Sequence, residues 1–153
     1  MAELAAGDKA PAFTLIDQHG NKVKLSGFKG QRLVVYFYPK ADTPGCTAQS
    51  CSLRDAMPEL EGLDAAVVGI SPDPPERQLR FDEKYGLGFP LLADEDHSVA
   101  EAWGVWGEKV NYGKRYFGIV RSAFVVDEKG RIAAAHYKVS PKDTVAKVAA
   151  ALT

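Results

Sequence analysis

The run Leu33-Val34-Val35-Tyr36-Phe37-Tyr38 constrains the fold more than any other segment, because it sets six apolar or aromatic residues in a row with no polar alternation. β-Branched and aromatic side chains suit a pleated backbone, and a strand without a polar face is one buried on both sides. Residues 33–38 are therefore expected to form a central strand. Pro39 and Pro44 stop its continuation, and Leu53, Ala56 and Leu60 then recur at helical spacing, which predicts a helix over about 47–60. A second buried strand is expected at 65–70. Strand, helix and strand in this order make a βαβ unit, whose crossover is right-handed and whose strands are parallel.

The rest of the chain adds antiparallel pieces. Residues 12–16 and 22–25 flank the polar turn Asp17-Gln18-His19-Gly20-Asn21, which reads as an N-terminal β-hairpin. Residues 75–85 read as a helix with Leu79 and Phe81 inward, 89–92 as a short strand and 96–103 as a helix. Residues 122–126 and 131–137 form a second hairpin across Asp127-Glu128-Lys129-Gly130. Ser140 as N-cap, Pro141 at the first helical position and Asp143 in the first turn open a closing helix. The fold class is α/β, with a central mixed β-sheet flanked by helices. No repeat or linker divides the 153 residues, so 1–153 reads as one domain, a size that buries roughly 68–70% of the surface of the unfolded chain without disulfide or metal staples.

Nineteen Lys and Arg against 20 Asp and Glu leave a net charge of -1, which excludes the strong positive field that binds phosphate backbones. Nucleic acid is not an expected partner. No stretch approaches the roughly 20 apolar residues of a membrane span, and residues 1–11 carry charges and no apolar run. A cytoplasmic setting without membrane attachment is expected.

The only two cysteines are Cys46 and Cys51, and in a reducing compartment such a pair is more often redox-active or metal-binding than structural. Cys46 falls where the strand 33–38 gives way to a helix, beside unpaired helix N-terminal amides and the positive end of the macrodipole. The loop 39–45 is stiffened by two prolines, and Gly45 lets its backbone approach a ligand closely. A thiol there is held as the thiolate, the nucleophilic form; the alternative is an inert buried cysteine. Two Cα atoms five residues apart in a helix are roughly 8–9 Å apart, beyond disulfide reach. If the pair bonds, the first turns must unwind; otherwise Cys51 is a small apolar helix residue.

Pro39-x-x-x-Thr43-x-x-Cys46 matches the active-site pattern of the peroxiredoxins. The wider run Tyr38-Pro39-Lys40-Ala41-Asp42-Thr43-Pro44-Gly45-Cys46-Thr47, with Cys51 after it, resembles the peroxiredoxin Q / bacterioferritin comigratory protein branch. Trp103-Gly104-Val105-Trp106-Gly107-Glu108-Lys109 and the stretch from Tyr112-Gly113-Lys114 to Gly118-Ile119-Val120-Arg121-Ser122 are similar to the same branch, so the resemblance covers essentially the whole chain.

The resemblance implies a thioredoxin-like fold and a thiol peroxidase with neither metal nor organic cofactor. It makes Cys46 the peroxidatic cysteine and Cys51 the resolving one, through an intramolecular disulfide reduced by thioredoxin or a glutaredoxin-like protein. Thr43 then hydrogen-bonds thiolate and peroxide, Pro39 shields the pocket, and Arg121, with the Gly45 and Cys46 amides, faces the charge that develops on the departing oxygen. Hydroperoxides are the implied substrates, and the branch suggests a monomer. For Arg121 to reach Cys46, the strand 122–126 must lie antiparallel beside 33–38. Ser122 departs from an expected Thr, and Ala41 and Ala48 stand at positions often charged in this branch. A non-enzymatic sensor or holdase switched by a Cys46–Cys51 disulfide is the rival reading.

His19, His97 and His136 sit on separate elements without a ligand spacing and read as surface or turn residues. Trp103, Trp106, Tyr112, Tyr116 and Phe117 cluster around glycine turns, either as a partly packed loop or as an apolar wall to the site. Asp94-Glu95-Asp96 reads as a solvated turn before a helix N-terminus.

Overall fold

The computed structural model describes residues 3–153, apart from the side chain of Asn111, so Met1 and Ala2 of the charged N-terminal segment lie outside the described residues. The expected central strand is β3 (Arg32–Phe37), the helix after it α1 (Pro44–Gly62), and the next strand β4 (Ala65–Ser71). β3 and β4 pair in parallel from Arg32↔Ala65 to Phe37↔Ile70, as the βαβ reading requires. The remaining elements are β1 (Thr14–Ile16), β2 (Lys22–Lys24), α2 (Pro75–Tyr85), β5 (Leu91–Ala93), α3 (Ser98–Ala102), β6 (Trp106–Asn111), β7 (Lys114–Ile119), β8 (Ser122–Val126), β9 (Ile132–His136) and α4 (Thr144–Leu152). Seven strands form a mixed sheet in the order β2-β1-β5-β4-β3-β8-β9, and β6 with β7 forms a separate two-stranded sheet.

The unbroken apolar run in β3 is explained by layers on both of its faces. Val34, Tyr36 and Tyr38 pack into one core with Leu53 and Leu60 of α1, Phe81 of α2 and Val148 and Leu152 of α4. Leu33, Val35 and Phe37 alternate into the other, with Val99 and Ala100 of α3, Trp103 and Phe124. Arg32, at the start of β3, donates from Nη1 to Leu152 O at 2.7 Å and from Nη2 to Leu63 O. One guanidinium thus satisfies carbonyls at the C-terminal ends of both α1 and α4, where a cation is favoured.

Four sequence expectations shift. α1 begins at Pro44 rather than near 47, so Cys46 lies inside its first turn; proline suits this position because its missing N–H would be unpaired there in any case. In α2, Gln78 joins Phe81 on the buried face while Leu79 is half-buried. Asp94 is not solvated: it is 1% exposed, and its carboxylate accepts the Val99 and Ala100 amides at 3.2 and 2.8 Å, closing the N-terminus of α3. Burial pushes its carboxyl above the usual aspartate range. Residues 141–143 form a 3-10 turn before α4, and Ser140 Oγ donates to the Asp143 carboxylate at 2.7 Å rather than accepting a helix amide.

The glycine turns at 103–119 prove to hold a hairpin. β6 and β7 pair antiparallel around Tyr112 and Gly113, both left-handed at φ 52 and 78, the backbone of a tight two-residue turn. The aromatic cluster divides accordingly: Trp103 is core, Trp106 stacks on His97 at 3.8 Å, and Tyr112, Tyr116 and Phe117 are exposed. His19 is exposed and His136 ends β9.

Tyr36 pairs directly with Gly69 across β3 and β4, and its ring lies over that glycine: a Cβ there would come within 2.7 Å of Cζ. The ring is fully buried and its hydroxyl shares a hydrogen bond with Ser50 Oγ at 2.8 Å, so it links the sheet to α1. Gly69→Ala should therefore destabilise the protein by about 1–3 kcal/mol through overpacking, measured by urea denaturation; an unchanged midpoint would show that the ring moves freely.

Candidate active site

The site is built at the C-terminal end of β3. The loop between β3 and α1 is tied to the neighbouring strand and helix at two points. The Ala41 amide donates to Asp73 Oδ2 at 2.7 Å, and the same oxygen accepts Ser71 Oγ at 2.7 Å. Asp42, left-handed at φ 61, holds Lys84 Nζ at 3.0 Å and accepts the Tyr85 hydroxyl at 2.9 Å, both from the end of α2. The hydrogen bond from Lys84 keeps the Asp42 carboxyl below its usual range, and the same bond raises Lys84. Pro39 is half-buried at the head of this loop.

Thr43 is the N-cap of α1, but its hydroxyl donates to Lys40 O at 2.8 Å, closing the loop on itself rather than capping the helix. No hydrogen bond among the described residues joins Thr43 to Cys46, unlike the sequence expectation. Gly45 and Cys46 follow in the first turn, where amides have no intrahelical acceptor. Cys46 is fully buried.

Arg121 immediately precedes β8, which pairs antiparallel with β3 from Phe37↔Ser122 to Leu33↔Val126. This is the arrangement that the sequence required, and it brings the guanidinium over α1. Nη2 donates to Cys46 Sγ at 3.4 Å and Nη1 to Gln49 Oε1 at 2.8 Å. Gln49 Nε2 donates in turn to Thr144 Oγ1 at 3.1 Å, and Thr144 Oγ1 to Ser140 O at 3.0 Å. Gln49 and Thr144 are fully buried, so the guanidinium is held by a closed chain from α1 to α4. A Cβ on Gly45 would lie 2.9 Å from Arg121 Nη2, so glycine makes room for this approach.

Cys51 is half-buried further along the unbroken α1, and both thiols are free. Below them Tyr36 stays neutral, its hydroxyl pushed far above the usual tyrosine range by burial. Ser122 Oγ donates to Val120 O at 2.8 Å, away from Cys46. Ala41 is buried and Ala48 exposed. Gln49 and Thr144 escaped sequence reasoning; Gln49 sits three residues after Cys46, a same-face helical spacing, whereas Thr144 reaches the site only through the fold. Among the described residues, no three His, Cys, Asp or Glu side chains group as a metal site, and no helix is long and apolar enough to cross a membrane.

A buried sulfur at a helix N-terminus, facing a guanidinium that cannot lose its proton, is equipped to act as a thiolate nucleophile. The model of the AhpC/TSA family matches residues 6–135. The chain is a peroxiredoxin of the AhpC/TSA family. It is 57% identical to peroxiredoxin Bcp of Escherichia coli strain K12 over 132 residues, 86% of this chain and 85% of that protein. To peroxiredoxin Bcp of Bacillus subtilis it is 48% identical over 141 residues, 92% of this chain and 90% of that one. Among solved structures, peroxiredoxin Q of Xanthomonas campestris superposes with a TM-score of 0.89 at 35% identity, covering 96% of each chain. The fold is therefore that of the thioredoxin-like peroxiredoxins, and the activity is thiol-dependent peroxide reduction.

Gly45→Ala tests the role of the close approach in this peroxiredoxin. The added methyl should displace the guanidinium from Cys46 Sγ while the helix keeps or gains stability. Losing one aligned donor outright costs about 100- to 1,000-fold, and a displaced donor should slow peroxide oxidation of Cys46 by roughly tenfold. Stopped-flow fluorescence would measure this, and an unchanged rate would show that the contact is dispensable.

Proposed function

We propose that Cys46 is the peroxidatic cysteine of this peroxidase and that Cys51 resolves it. The reading rests on one observation above the rest, Arg121 Nη2 at 3.4 Å from Cys46 Sγ in the first turn of α1. The Cys46 thiolate attacks one oxygen of a hydroperoxide: the S–O bond forms, the O–O bond breaks, and the second oxygen departs as hydroxide or alkoxide, which takes a proton to become water or alcohol. Arg121 and the Gly45 and Cys46 amides stabilise the charge moving onto the departing oxygen. Because the Thr43 proton is given to Lys40 O, the hydroxyl oxygen is left to accept from the peroxide O–H. Pro39 shields the pocket from water.

The product is sulfenic acid on Cys46. The Cys51 thiolate then attacks that sulfur, the S–S bond forms, and hydroxide leaves as water. A disulfide cannot span the intact helix, so the first turns of α1 unwind at this step. The dithiol of thioredoxin or a glutaredoxin-like protein returns both cysteines to thiols by exchange. Since both cysteines lie on one helix, a monomer completes the cycle, and a reducing cytoplasm suits it. Chain 1–153 acts as one domain, without metal or organic cofactor.

Steady-state peroxide consumption with thioredoxin, thioredoxin reductase and NADPH tests the assignment. Cys46→Ser should abolish turnover. Cys51→Ser should consume about one peroxide per chain and then stall, and Arg121→Ala should slow Cys46 oxidation roughly 100-fold. Stoichiometric peroxide loss by the wild type with this reducing system would instead favour the sensor or holdase.

A further inference from the structure

At the end of the sheet away from Cys46, a cavity of about 290 Å³ opens between the start of β1, the 3-10 turn Leu25–Phe28 that follows β2, and the turn between β8 and β9. Its lining includes the buried Phe13, Leu33 and Val126 and the half-buried Leu25 and Phe28. Leu33 pairs with Val126 at the far end of the β3–β8 ladder from Phe37↔Ser122, the pair that adjoins Arg121. At about 3.3 Å per residue, the four steps along β3 put the cavity roughly 13 Å from the Cys46 end of the strand. Backbone hydrogen bonds tie the three segments together. The Leu25 amide donates to Phe13 O at 3.1 Å, the Ala10 amide to Gly130 O at 3.0 Å and the Gly30 amide to Glu128 O at 2.9 Å. The cavity is thus formed before any ligand arrives, as small-molecule sites usually are, and its volume lies near the lower end of their range of about 300–1,000 Å³.

The charge around this cavity has one sign. Lys9, Lys24, Lys29 and Lys129 all line it and all are exposed. None of the ion pairs among the described residues includes any of the four. The carboxylate in the lining, Asp127, is turned to the backbone, where its Oδ1 accepts the Lys129 and Arg131 amides, both at 2.9 Å. An inorganic anion would leave the apolar interior unused, and a neutral hydrocarbon would leave the ammonium groups unused. A ligand with one apolar chain and one anionic head uses both, since lysine lays its stem along apolar surface and keeps its charge at the rim. We infer that this cavity is a second binding site, separate from the peroxide site, for a single-chain aliphatic carboxylate, with the chain against Phe13, Leu33 and Val126 and the carboxylate among the lysines. The inference does not depend on the roles of Cys46 and Cys51.

Decanoate below its micellar concentration is the probe, with octanoate and decyltrimethylammonium as the controls for chain and charge. Amide chemical shifts of the isotope-labelled protein report both where each compound binds and how tightly. Decanoate should give saturable shifts at Ala10, Leu25 and Gly130 and leave Gly45 and Cys46 unmoved. A buried methylene is worth about fourfold in affinity, so octanoate should bind roughly tenfold more weakly. An exposed ion pair contributes up to about fivefold, so Lys24→Gln combined with Lys129→Gln should weaken decanoate roughly two- to tenfold. Decyltrimethylammonium, which has the same chain and the opposite charge, should bind at least about tenfold more weakly than decanoate. Absence of saturable shifts at the cavity overturns the inference, and so do shifts centred on Gly45 and Cys46, which would send the carboxylate to the peroxide site. Equal binding of the cation and the anion, or of the parent and the double Gln variant, overturns the role of the lysines and with it the proposed ligand class.

Discussion

The contact between Arg121 Nη2 and Cys46 Sγ joins residues 75 positions apart, and much of the architecture can be traced to what it requires. β8 must pair antiparallel with β3 so that its first residue stands opposite the end of the strand leading to Cys46. α1 must start as early as Pro44, so that the sulfur lies in the first turn among unpaired amides. Gly45 must lack a side chain. A guanidinium alone would be mobile, and the buried chain through Gln49 and Thr144 to Ser140 O fixes its plane. The half-buried guanidinium and its fully buried partners Gln49 and Thr144 are satisfied together, which burial of polar groups demands.

The same helix has two uses that oppose each other. Its regular first turn aims amides at Cys46, yet regularity keeps Cys51 out of reach of a disulfide. The structure holds the reduced form, with both thiols free and α1 continuous from Pro44 to Gly62. Stability in that turn comes from the loop ahead of it, anchored through Asp73 and Asp42 to β4 and α2, and from Gln49 at its rear. In the proposed cycle, oxidation converts the Cys46 thiolate to a neutral sulfenic acid, which would remove the charge that Arg121 faces and weaken the hold on the turn.

What was legible in the sequence follows the range of each interaction. The β3 run declared itself because burial on both faces needs no partner residue to be known, and the β3–α1–β4 order fixed parallel pairing. Cys46, Thr43 and Pro39 sit within one loop motif, and Arg121 was readable once the family pattern was matched. The N-terminus of α1 was placed late because Pro44 and Gly45 look like loop residues, although proline is at home in a first turn. The β6–β7 hairpin went unread because its strands mix Glu108, Lys109, Lys114 and Arg115 with aromatics and form no layer of the main sheet. Asp94 reads in sequence as a solvated acid beside Glu95 and Asp96, and only tertiary burial distinguishes it. Gln49 and Thr144 reach the site through the fold rather than a local motif, and the internal bond from Thr43 to Lys40 O depends on the turn at left-handed Asp42.

The most direct test of the account is hydrogen-exchange mass spectrometry of the protein before and after one equivalent of hydrogen peroxide. The account predicts loss of two hydrogens per chain, a cross-link between Cys46 and Cys51, and faster amide exchange confined to the first turns of α1, with the later turns and the sheet still protected. Sulfenic or sulfinic acid on Cys46 beside an intact Cys51 thiol and an equally protected helix would contradict it.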